Sequence, residues 1–202
     1  MVTRRRFLEL GGVTLLAWPP FQNATQESGT FHVGVIADTH IIDEFYRGPE
    51  GSPEDTESIF KTSDRLAMAR DALNELGPAL DLVFLVGDYF HDYPSADLDF
   101  YFQHSTRIDR AKALTDAFRA PVHVGFGNHD YGVPMVSREA THELVRRKLS
   151  LPPYYAVDHR GWKFIHVNNF LGATWQVGHP SYARQSGSLG EEQLACKVLR
   201  LR

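Results

Sequence analysis

Apolar positions along this chain run in two rhythms. The stretch TFHVGVIAD at 30–38 is a short apolar run that closes on an acid, the pattern of a buried strand. DLVFLVGD at 81–88 repeats it, and PVHVG at 121–125 alternates toward a third strand. Between these runs the period becomes helical: Leu66, Ala69, Leu73 and Leu76 share one face of 60–76, and Gly77-Pro78 stops the pattern. Further helical patterns cover 98–118 and 137–149, and Gly161 sits in a hairpin between YYAVDH and WKFIHVNNF. The segment DEFYRGPEGSPEDTES, rich in Gly, Pro and acids, reads as an irregular loop. Strand and helix alternate, which predicts an α/β fold with a largely parallel sheet.

Composition narrows the class. With 202 residues, 43% of them hydrophobic and 23% charged, the chain can bury one sizeable core and is too apolar to be disordered. A net charge of −4 argues against a general nucleic-acid binder. The single cysteine, Cys196, excludes an intrachain disulfide and a cysteine-based zinc site, which turns attention to the ten histidines. Residues 1–29 stand apart from the domain expected over 30–202. Thr3-Arg4-Arg5-Arg6-Phe7-Leu8 has the form of a twin-arginine export signal, followed by a short apolar run. Glu9 and Pro19-Pro20 leave too few apolar residues for a stable membrane span. The expectation is an exported protein, periplasmic or extracellular, whose leader engages the twin-arginine machinery.

The chemistry lies at the strand ends. The first strand closes on Asp38-Thr39-His40, the second on Gly87-Asp88, the third on Gly127-Asn128-His129-Asp130. Ligands of open α/β sheets bind beyond the carboxyl ends of the strands, so the three clusters should open onto one crevice. Asp38 and His40, two apart, point the same way on an extended chain, and a carboxylate with an imidazole can grip one metal ion. Asp88 has two oxygens and can bridge two cations about 3.5–4 Å apart. Asn128 offers a neutral amide oxygen, suited to a hard cation already neutralised by acids. Each piece alone has a bland reading: a chance D-x-H, a strand-end acid that caps a turn, an Asn turn beside a satisfied His. All three in order, each after an apolar strand, outweigh those readings.

The stretches ADTH (37–40), VGDYFHD (86–92) and GFGNHDYG (125–132) resemble the calcineurin-like metallophosphoesterase family, over roughly residues 30–195. The resemblance implies a four-layer αββα sandwich that hydrolyses phosphate esters, monoesters or diesters of small molecules or nucleotides. It also implies two divalent or trivalent metal ions with metal-bound hydroxide as nucleophile, and the N/O donors suit Mn, Fe or Zn. Asp38 and His40 would hold the first metal, Asp88 would bridge and Asn128 would bind the second. His129 would protonate the leaving oxygen, Asp130 would orient His129, and Gly127 would supply the bend. The family pattern continues with a later metal-binding His and a Gly-His-x-His pair, where this chain reads CKVLRLR after GSLGEEQLA. The resemblance therefore predicts a domain lacking its C-terminal strands, and with it a rival reading: an inactive remnant that binds at most one ion weakly. A generic α/β domain with one Mg2+ is a third reading, which needs neither Asn128 nor His129. His166 and His179 are the substitutes available for the later ligands, and His91 is placed at the substrate mouth.

Overall fold

The computed structural model describes residues 29–48, 51–183 and 186–196, so the export leader lies outside the described residues except for Gly29. Strands β1 (Val33–Ile36), β2 (Leu82–Val86) and β3 (Val122–Gly125) form a parallel sheet in the order β1-β2-β3. Val33 pairs with Leu82, Ile36 with Leu85 and Val86 with Gly125, so the three carboxyl ends share one rim. The central strand, β2, is the most continuously apolar, and its first four residues are buried.

Two short helices, α1 (Pro53–Glu57) and α3 (Phe100–Gln103), accompany the longer α2 (Thr62–Asn74), α4 (Arg107–Asp116) and α5 (Arg138–Leu149). Leu66, Ile108 and Leu144 from the longer helices join Val83 and Leu85 in one buried core. Each such side chain contributes about 1.5–3 kcal/mol on burial. The helix expected over 98–118 is two helices. Asp109 reaches back to accept from the Thr106 amide at 3.0 Å, a start signal that begins α4 afresh. α1 arises inside the segment read as loop, where Ser52 accepts from the Asp55 amide at 3.2 Å and Pro53 fits the first turn. α5 begins beside Ser137, which caps the Ala140 amide at 3.1 Å.

Strands β4 (Tyr155–His159) and β5 (Trp162–His166) form the expected antiparallel hairpin. Arg160 and Gly161 both have positive φ (46° and 81°), the requirement of a tight two-residue loop. The hairpin faces the parallel sheet: Phe164 lies 5.0 Å from Phe84, and the Tyr155 hydroxyl donates to the Val124 carbonyl at 2.8 Å. The molecule is thus α/β, a parallel sheet with helices and a second sheet against it, and one final helix, α6 (Glu191–Ala195). One expectation differs. β1 was expected to be buried, yet Val35 is 57% exposed, as is 52% of Val86. The hairpin covers Phe84 and leaves the carboxyl-end part of this face as an open apolar cleft with Phe126 and Val167.

Candidate metal centre

The loops leaving the three strands stay bonded to one another beyond the sheet. The Asp38 amide donates to the Gly87 carbonyl (3.1 Å), the His40 amide to Asp88 (2.9 Å) and the Asp92 amide to His129 (3.2 Å). Asp38, His40, Asp88 and Asp92 all adopt left-handed φ, between 43° and 56°. They are four of the six non-glycine residues among those described that do so. Asp and His tolerate this region better than most residues, but each still costs about 1–3 kcal/mol, and such strain concentrates at functional sites.

The result is convergence. Asp38, His40 and Asp88 each present a ligand atom within 4.8 Å of the others. His40 Nε2 lies 3.9 Å from Asp38 Oδ1 and 3.7 Å from Asp88 Oδ2. Two carboxylates and one imidazole form a donor set that suits Mn, Fe or Zn. Burial lowers the pKa of His40, with Asp88 opposing that shift, which favours the neutral ring a metal requires. Asp88 Oδ1 accepts from the His129 amide at 2.8 Å while Oδ2 faces His40, so this carboxylate ties the third loop to the cluster. Asn128, half-buried, occupies the turn between Gly127 and that amide.

Gly127 does more than bend. A Cβ there would lie 2.2 Å from both the amide nitrogen and Oδ1 of Asp88, so only glycine admits the second loop. The positive φ at this crossing belongs to Gly87, at 117°.

His129 is half-buried and its Nδ1 lies 3.0 Å from Asp92 Oδ1. That hydrogen bond raises the pKa of His129, against the opposing effect of burial. The carboxylate in contact with the His129 ring is thus that of Asp92, where the expected neighbour was Asp130. Asp130 is buried, and its oxygens accept from the amides of Gly127 (2.7 Å), Tyr89 (2.8 Å) and Phe90 (3.1 Å). Burial pushes its carboxyl up to about 7, with the amide of Gly127 leading the opposing contributions. It braces the two loops against each other instead of touching the ring.

His91 and Asp92 are the residues that sequence reasoning undervalued. Their signal was the His-Asp pair soon after Asp88, but their directions depend on the left-handed turn at Asp92. The His91 ring stacks on His129 (4.5 Å, 17°), and its Nδ1 lies 3.0 Å from His40 Nδ1. Burial pushes its pKa down to about 4. Arg107 donates to the His91 carbonyl and forms a buried two-pronged pair with Asp43, Nε to Oδ2 at 3.0 Å and Nη2 to Oδ1 at 2.9 Å. Neither substitute histidine enters a metal-ligating group among the described residues. His166 stacks on Tyr155 (4.5 Å, 7°), and His179 Nδ1 accepts from the Ser181 amide.

Among the described residues no helix is long and apolar enough to cross a membrane. No curated protein sequence matches the chain. Among solved structures, a dimetal phosphatase from Danio rerio is similar at 16% identity and a TM-score of 0.47. The match covers 82% of this chain and 62% of that one. The profile described as calcineurin-like phosphoesterase matches residues 31–191.

Proposed function

The chain belongs to the calcineurin-like phosphoesterase family, and from that premise we propose that it hydrolyses phosphate esters of small molecules or nucleotides. The observation that carries this reading is the meeting of Asp38, His40 and Asp88 within 4.8 Å, beside the hydrogen-bonded His129–Asp92 pair. Asp38, His40, Asp88 and Asn128 are the residues that would hold the metal ions. Bound there, such ions would activate water and offset the charge of the phosphoryl group.

The protein's own residues do the rest. Asp92 accepts from His129 Nδ1, which stabilises the protonated ring and leaves Nε2 to carry the proton to the departing oxygen. Asp130 fixes the loop from which His129 projects. The hydrogen bond from the His129 amide to Asp88 Oδ1 ties the proton donor's loop to the metal-ligand candidates.

The test is metal content per chain together with turnover of a chromogenic phosphomonoester and a diester, with Mn2+, Fe or Zn2+ supplied. Two metals with turnover, lowered about 10²–10⁴-fold by His129→Ala, is the expected result. Turnover unchanged by both His129→Ala and Asn128→Ala would sink the assignment. The rival reading, a domain that holds one ion weakly and turns nothing over, is favoured by one observation. Among the described residues, no side chain beyond Asp130 enters a metal-ligating group. One ion per chain and no hydrolysis of either ester would decide for it. Export through the twin-arginine machinery is proposed from residues 3–8. A leader–reporter fusion should be exported, and changing Arg4 and Arg5 to Lys should keep it inside the cell.

A further inference from the structure

Beside the carboxylate cluster lies a second group with a different chemistry. The imidazoles of His40, His91 and His129 each offer a ring nitrogen within 4.8 Å of the other two. The two nitrogens of His40 face different neighbours: Nε2 looks toward Asp38 and Asp88, while Nδ1 lies 3.0 Å from His91 Nδ1. The stack of His91 on His129 and the edge-on approach of His40 to both rings (5.0 and 4.9 Å) fix the trio. Arg107, locked by Asp43, secures His91 from behind through its carbonyl.

A pair of ring nitrogens this close is satisfied without an ion only by sharing one proton. A tetrahedral ion about 2.0–2.1 Å from each nitrogen would set them roughly 3.3 Å apart, a small opening from the observed 3.0 Å. Three imidazoles favour Zn2+, Ni2+ and Cu2+, and Asp92, 3.0 Å from His129 Nδ1 and 3.6 Å from His91 Nε2, is the carboxylate that touches two of them; the neighbouring oxygen-rich set accepts Mn2+.

We propose that His40, His91 and His129 form an all-imidazole site for a late divalent transition ion, and that its occupation inhibits the enzyme. Such an ion would occupy a ring nitrogen of His129 and so keep that ring from carrying a proton, while His40 would meet it through Nδ1, the nitrogen turned away from Asp38 and Asp88. The inhibitory half of the inference rests on the proposed role of His129; the binding half does not.

The full-length chain is titrated with Cu2+ and followed by electron paramagnetic resonance and calorimetry, with Mn2+ binding measured in parallel. Nitrogen coupling from three imidazoles is expected in the Cu2+ spectrum. His91→Phe keeps the ring stack and removes the nitrogens; it should weaken Cu2+ binding at least tenfold, remove one nitrogen coupling and leave Mn2+ binding in place. Asp38→Asn should do the reverse. Cu2+ bound with the same affinity and spectrum in His91→Phe would overturn the site, as would its loss in Asp38→Asn alone. Circular dichroism of both variants separates misfolding from ligand loss, and His91→Gln serves as the second variant where His91→Phe unfolds. In turnover, Zn2+ added beyond the level that supports hydrolysis should inhibit the natural chain, and His91→Phe should resist. Equal inhibition of both would overturn the inhibitory role. Absence of hydrolysis under every metal would instead defeat the phosphoesterase reading, with the Cu2+ result unaffected.

Discussion

The proton on His129 is governed by Asp92, whose carboxylate meets Nδ1 at 3.0 Å. A raised folded-state pKa means that the native protein binds this proton more tightly than the unfolded chain. The resulting stability is fully present below about pH 6.5, the ordinary histidine value, and is lost as pH rises through the raised folded value. Asp92→Asn should therefore move the alkaline limb of the turnover profile to lower pH and flatten that part of the stability curve. A pH–rate profile beside melting curves at several pH values checks both. Gly127 makes a different demand. Gly127→Ala places a methyl group against Asp88, with an expected loss of about 1–3 kcal/mol in urea unfolding. Turnover should fall about 10²-fold from the displaced ligand. Residue types at the site were legible because Asp, His and Asn after apolar runs have few bland explanations in combination. Pairing was not: Asp130 adjoins His129 in the chain, yet the turn sends its carboxylate to three amides and brings Asp92 to the ring.

Among the elements, α4 has a role that no helix pattern announces. Its first residue, Arg107, is 2% exposed and joins Asp43, in the loop after β1, to the carbonyl of His91, in the loop after β2. Arg107→Ala leaves Asp43 buried without its cation, so roughly 3–5 kcal/mol of stability should disappear. Arg107→Lys should recover only part, because an ammonium lacks the planar fork. Chemical denaturation of the two variants measures the difference. The strands, the hairpin and α5 were legible from period and turn chemistry. The break between α3 and α4 was not, since the apolar spacing runs on through it and the restart depends on one carboxylate, Asp109.

For the whole molecule, acid is the sensitive direction. Burial pushes His91, His142 and His166 each down to about 4, so the native protein binds fewer protons than the unfolded chain below about pH 6.5. Their contribution to stability is complete above that value and disappears as pH falls toward 4. Asp130, pushed up to about 7, acts in the opposite sense over the same span, while burial of His40 and His123 lowers their pKa and adds to the effect of the three. The melting temperature should fall between pH 6.5 and 4, and His142→Phe, losing one of the three, should reduce the slope. The apolar cleft between the sheets has its own consequence. Val35, Val86 and Val167 are each more than half exposed, so the native protein should bind a hydrophobic dye. Replacing Val86 and Val167 with Thr should lower that fluorescence without moving the metal-binding isotherm. The cleft was not legible in the sequence, because an apolar run reads the same whether its second face is covered or open.

The brace formed by Asp130 also changes how mutants of this chain should be interpreted. An alanine there would silence the protein by letting two neighbouring turns drift apart, and an assay of turnover alone would score it as lost chemistry. The bracing contacts and the proposed proton donor share four consecutive residues, so any dead variant from 127–130 needs its melting curve read first.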